Sequence, residues 1–75
     1  MRYAVMEFCF ENDKPVFKWV ATDLSLSSAN DARSAWNYQA SRKGGYMEII
    51  EDTQDAFDNR KAEIIKRHPR IKGAS

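Results

Sequence analysis

Seventy-five residues suffice for one small domain, whose core supplies only a few kcal/mol of net stability. Twelve basic and eleven acidic side chains leave a formal charge of +1, so composition alone carries no nucleic-acid footprint. Cys9 is the only cysteine and His68 the only histidine, which excludes an internal disulfide and the usual four-ligand structural zinc site, and suits a reducing compartment.

The chain opens with MRYAVMEFCFEND. Its apolar run of about seven residues is interrupted by Glu7, too short and too charged for a signal peptide or a membrane span. A cytoplasmic, soluble protein without membrane contact is the expectation. Residues 2–10 alternate: Ala4, Met6, Phe8 and Phe10 share one face, and Tyr3, Val5, Glu7 and Cys9 the other, which predicts a strand. ENDKP is a turn, and VFKWVAT alternates again, with Phe17, Trp19 and Ala21 opposite Val16, Lys18 and Val20. Two alternating runs across a short polar loop make a hairpin.

Ser28 followed by Asp31 resembles a capping box and predicts a helix start. Ala29, Ala32, Trp36 and Ala40 then recur at helical spacing, a narrow stripe in which Trp36 is the core ring, and Gly44-Gly45 ends the helix. YMEII is a third strand, with Met47 and Ile49 on one face and Tyr46, Glu48 and Ile50 on the other. Asp52 or Thr53 caps a second helix reaching about Arg67, apolar along Phe57, Ile64 and Ile65, with Lys61 and His68 at the rim. Pro69 follows the helix end, and residues 70–75 are expected to be a flexible tail on a single domain spanning 1–69.

The predicted fold is an α+β two-layer sandwich in ββαβα order, a three-stranded antiparallel sheet of spatial order 2-1-3 with both helices on one face. Met6, Phe8, Phe10, Phe17, Trp19, Met47 and Ile49 would meet Trp36, Phe57, Ile64 and Ile65 inside. The back of the sheet would then expose an apolar patch of Tyr3, Val5, Cys9, Val16, Val20, Tyr46 and Ile50, a candidate protein contact.

Two further surfaces stand out. Successive helical residues turn about 100°, so Tyr38 points about 200° from Trp36, outward beside Ala35 and Arg42. A tyrosine there offers a large contact area and a polar tip. The charges also separate: Glu48, Glu51, Asp52, Asp55 and Asp58 are followed by the basic-rich 60–72 segment with Lys66, Arg67, Arg70 and Lys72. Acids at a helix start and bases at its end complement the helix dipole. If Arg42 and Lys43 share an edge with the second basic segment, phosphates could also bind there, with Tyr38 as a stacking ring.

Catalytic chemistry finds little support. Cys9 and His68 are a nucleophile and a base in kind only, and a lone Cys more often behaves as a small hydrophobe. Glu51, Asp52, Asp55 and Asp58 lack the spacing and glycine of a calcium loop. Gly44-Gly45 stands between helix and strand, the reverse of a phosphate loop. No catalytic residue, metal site or cofactor is expected, and an enzyme is not.

The segment VFKWVATDLSLSSANDARSAWNYQASRKGGYMEIIED, residues 16–52, combines a hairpin strand, a Ser-Leu capping stretch, an alanine-spaced helix, a glycine corner and a short strand. It resembles small phage-encoded inhibitors of host machinery: the phage RNA polymerase inhibitor type, with an aromatic pair like Trp36-Asn37-Tyr38, and the ββαβ part of some anti-CRISPR proteins. The second helix and basic tail depart from the polymerase inhibitor's pattern. The resemblance implies a non-enzymatic protein that blocks a bacterial protein or ribonucleoprotein complex in the host cytoplasm. Tyr38, Arg42 and Lys43, or Glu48, Glu51, Asp52, Asp55 and Asp58, would carry the contact. A nucleic-acid-binding domain using Lys66, Arg67, Arg70 and Lys72 is a second expectation. A homodimeric module joined through the back of the sheet or its edge is a third, so that the chain is a monomer or a homodimer.

Overall fold

The computed structural model describes residues 1–68 and Ile71. The two alternating runs form an antiparallel hairpin of β1 (Tyr3–Glu11) and β2 (Lys14–Leu24). Asn12 and Asp13 close it with φ of 53° and 64°, the left-handed pair that a two-residue turn between twisted strands requires and that Asn and Asp tolerate. After α1 (Leu26–Arg42) comes β3 (Tyr46–Glu51), which pairs antiparallel with the other side of β1, and α2 (Gln54–Arg67) follows. The sheet order is β2-β1-β3, the expected arrangement. Because β2 and β3 both oppose β1, each helix returns in the direction of β1.

Side-chain alternation assigns each helix to a face. Val5 packs with Ala29, Ala40 and Met47, flanked by Tyr3, Val20, Ala32 and Ile49. Ala4 and Met6 pack with Ile50 and Phe57, and Phe8 and Phe10 with Ile64. The two helices therefore cover opposite faces, which corrects the expected single-face packing. The physical reason lies in β1: its apolar residues point both ways, and a face left bare would expose Val5 and Cys9. Five residues drawn from both faces of β1, Ala4, Val5, Met6, Phe8 and Cys9, are fully buried. Burying a Val- or Phe-sized side chain contributes about 2 kcal/mol.

The same register corrects β3. Val5 stands opposite Ile49 and Ala4 opposite Ile50. Met47 and Ile49 thus lie under α1, and Ile50, Glu48 and Tyr46 on the α2 side, one residue out of phase with expectation. A one-residue slip moves every side chain of a strand to the other face. The apolar patch expected behind the sheet is consequently covered.

Trp36 is a further correction. Ala29 and Ala40 in the same stripe are fully buried and let α1 lie close to the sheet, whereas Trp36 stays 46% exposed and is not a core ring. Aromatic packing concentrates on the α2 face instead. Phe8 is the hub, 5.2 Å from the rings of Phe10 and Phe17, 5.4 Å from Tyr46 and 5.1 Å from His68. Trp19 stacks on Phe57 at 4.6 Å. Ile71 packs against the Phe8, Phe10 and Ile64 cluster; the rest of the expected tail, with Arg70 and Lys72, lies outside the described residues.

Helix α1 starts at Ser25, three residues before the expected cap: its Oγ accepts from the Ser28 N–H at 3.2 Å. Thr53 caps α2, accepting from the Ala56 N–H at 3.1 Å. The end of α1 is a Schellman turn, with the Gly44 N–H donating to Ser41 and the Gly45 N–H to Ala40. Gly44 takes φ 81°, and Gly45 passes so close to β1 that a Cβ there would sit 1.7 Å from the Phe8 carbonyl oxygen.

Candidate functional site

Tyr38 and Arg42 lie one turn apart on the face of α1 that turns away from the sheet. Tyr38 is 69% exposed, and the Arg42 guanidinium carbon stands 5.9 Å from the centre of its ring. Such a cation over an exposed ring orients both side chains for about 0.5–1 kcal/mol. Lys43 caps the helix, and its carbonyl accepts from the Phe10 N–H at 3.0 Å. The helix end is thereby pinned to β1; Arg42 stands beside Tyr38 and shares a concavity with Gln39 and Lys43, whose charge also reaches Cys9 and Glu11 on the sheet side.

The acidic set does not form one surface. Glu48 lies on the α2 face of β3, in a concavity with Tyr46, Arg60 and Arg67. Glu51 faces the α1 side at the end of β3, opposite Tyr3. Asp52 is half-buried and has a structural duty: its Oδ2 accepts from the Asp23 N–H at 2.8 Å. That bond, with Arg2 Nε 3.0 Å from Asp23 Oδ1, holds Asp23 at a φ of 58°. Asp55 and Asp58 are exposed on the first turns of α2, where Gln54 donates to Asp58 at 3.0 Å.

The basic helix ends do come to one end of the sheet. Lys43 is bonded to Phe10 on one face, and His68 lies against the rings of Phe8 and Phe10 on the other. Arg42 and Lys43 are thus separated from Lys66 and Arg67 by the thickness of the sheet. Lys66 is exposed, and Arg67 stands 3.8 Å from Glu63 on its own helix.

Cys9 and His68 belong to opposite faces of the sheet. Cys9 is fully buried, and burial pushes its thiol above the ordinary value, reinforced by Glu7. Burial likewise raises the Tyr46 hydroxyl, with Glu48 adding to it. Lys18 hydrogen-bonds Glu11 at 3.0 Å, which lowers the carboxyl and raises the amine. Among the described residues no three His, Cys, Asp or Glu side chains are placed to hold a metal ion, and no helix is long and apolar enough to cross a membrane.

Sequence reasoning missed Asn37. Its Oδ1 accepts from the Met47 N–H at 3.0 Å and so ties α1 to the outer edge of β3. The available signal was an Asn in mid-helix, a position it occupies at a propensity cost unless its side chain finds a partner. Concavities flank the same strand on both sides, lined by Arg33, Ser34, Asn37 and Met47 towards α1, and by Ile49, Ile50, Asn59 and Arg60 towards α2. Comparison of the chain with protein-family models, with curated proteins and with solved structures gives no match.

Proposed function

We propose that the protein acts by stoichiometric binding to a bacterial protein or ribonucleoprotein complex, as a non-enzymatic inhibitor or adaptor in the host cytoplasm. Tyr38, Arg42 and Lys43 carry the contact. The observation behind this reading is the pairing of an exposed Tyr38 ring with Arg42 on a helix tied to the sheet through Asn37 and Lys43. Tyrosine and arginine are the residue types that dominate binding hot spots, and pre-ordering reduces the entropy lost on association. The dispersed acids Glu48, Glu51, Asp55 and Asp58 act on encounter rate and specificity rather than as one epitope. The test is capture from bacterial lysate, nuclease-treated, by wild type and by Tyr38→Ala/Arg42→Ala. A protein held by wild type and weakened at least about tenfold in the double variant supports the reading. Equal capture by both would remove this surface from it.

The approach of both basic helix ends to one end of the sheet favours a second reading, nucleic-acid binding through Arg42, Lys43, Lys66 and Arg67. It requires affinity that falls steeply with salt. Against it, each basic cluster faces the negative end of its own helix, which it already complements. A flat salt response would dismiss it.

A further inference from the structure

The edge of β3 has a pattern of backbone groups that matches itself. The Asp52 N–H donates to the Arg2 carbonyl, and alternation along the strand then turns Ile50, Glu48 and Tyr46 towards β1 and Glu51, Ile49 and Met47 away from it. Two of the outward groups are engaged within the chain: the Met47 N–H by Asn37, and the Glu51 carbonyl by the Thr53 N–H at 2.8 Å. Between these caps, the Met47 carbonyl, both groups of Ile49 and the Glu51 N–H face outward. Acceptor, donor with acceptor, donor: this order reads identically when the strand is rotated by half a turn about Ile49.

We propose that two copies of this chain pair antiparallel through β3, Ile49 against Ile49, joining their sheets into one of six strands. Four backbone hydrogen bonds form: two between the Ile49 residues, and one from each Glu51 N–H to the Met47 carbonyl of the other copy. The capped groups are the outer pair that would continue the ladder, so the caps set its length.

The helix flanks carry charges that suit the same two-fold axis. Arg60 and Glu63 share a concavity with Ile49 and Ile50, so they stand level with the centre of the pairing. Within one chain they are 3.6 Å apart, and Glu63 also stands 3.8 Å from Arg67. Two α2 helices brought together antiparallel across the axis place Arg60 of each copy against Glu63 of the other. On the opposite face, Arg33 lines a concavity with Met47, and Met47 stands opposite Glu51 of the second copy. Arginine therefore meets glutamate on both faces, the self-complementarity that a two-fold interface demands. The other edge is unsuited to pairing. β2 carries Lys14, Pro15 and Lys18 and has left-handed Asp23 next to its last residue, and its register with β1 is irregular between Tyr3 and Met6. Charge, proline and bulges are the usual guards against edge pairing.

Sedimentation of the full chain tests this, with Arg60→Glu, Glu63→Arg and the double exchange compared with wild type. Wild type is expected to sediment at twice 8.7 kDa and to dissociate on dilution. Each single reversal sets like charges against each other twice per dimer and should raise the dissociation constant about tenfold, with the double exchange restoring it. Amide exchange at Ile49 and Glu51 should slow as concentration rises, a readout that needs no variant to fold. A wild-type mass of 8.7 kDa up to millimolar concentration would overturn the proposal. So would a dimer indifferent to the reversals with unprotected Ile49 and Glu51 amides.

Discussion

Gly45 shows how much a single residue can decide. It lies where the chain leaves α1 and runs against the backbone of β1, and a Cβ there would overlap the Phe8 carbonyl at 1.7 Å. No rotamer relieves an overlap with backbone, so Gly45→Ala should cost about 3 kcal/mol or more, read as a lower urea midpoint. The glycine pair itself was legible, because helices often end on glycine; which of the two was forced by contact was not. Cys9 gives a pH prediction. Its thiol is raised by burial, so at high pH the native state holds a proton that the unfolded chain releases. That contribution is fully present below the ordinary value of 9.0 and is lost progressively as pH rises from there through the raised native value. Unfolding free energy should therefore fall as pH rises above 9.0, and less steeply in Cys9→Ala, measured by urea titration at each pH. Tyr46, raised the same way, acts in the same direction at higher pH.

At the scale of elements, capping distinguishes two readings of one stretch. SLSSAND holds three serines, and the Ser28-Asp31 spacing pointed to Ser28, whereas Ser25 makes the cap bond. Ser25→Ala should lower stability by about 1 kcal/mol and Ser28→Ala by clearly less, compared by thermal melts of the two variants. Strand and helix types, the hairpin turn and the Thr53 cap could all be read from alternation, periodicity and turn chemistry, because each depends on residues close in sequence. The faces of β3 could not. YMEII is apolar in both phases, with Met47 and Ile49 in one and Tyr46 and Ile50 in the other, so local pattern left its register open and pairing with β1 resolved it.

Across the whole molecule, the crossover from β2 to β3 and the return after β3 send both helices the same way. Their positive ends gather beside Asp23, Glu51, Asp52 and Asp55, and their negative ends beside Arg42, Lys43, Lys66 and Arg67. The aligned dipoles account for the acidic-then-basic order of the chain. Asp55, in the first turn of α2, is the simplest probe of this. Asp55→Lys should cost about 0.5–1 kcal/mol of stability at low salt, and the loss should shrink with added salt, as denaturant titrations at two ionic strengths would record. The binding surface was partly legible for the same reason. Tyr38 and Arg42 are neighbours by helical spacing alone, whereas the distance between the two basic helix ends depended on the topology of the sheet.

Local physics in the sequence determined five elements, their order and the turn at Asn12-Asp13, since propensity, alternation and caps act over a few residues. Only the tertiary structure decided that the helices cover opposite faces, that Trp36 is left half exposed and that Asn37 binds the Met47 N–H of β3. These outcomes turn on which surfaces can be buried together. That is settled by packing between elements distant in sequence: the apolar residues on both sides of β1 each need a cover, and Ala29 and Ala40, not Trp36, are the residues of the α1 stripe that are fully buried.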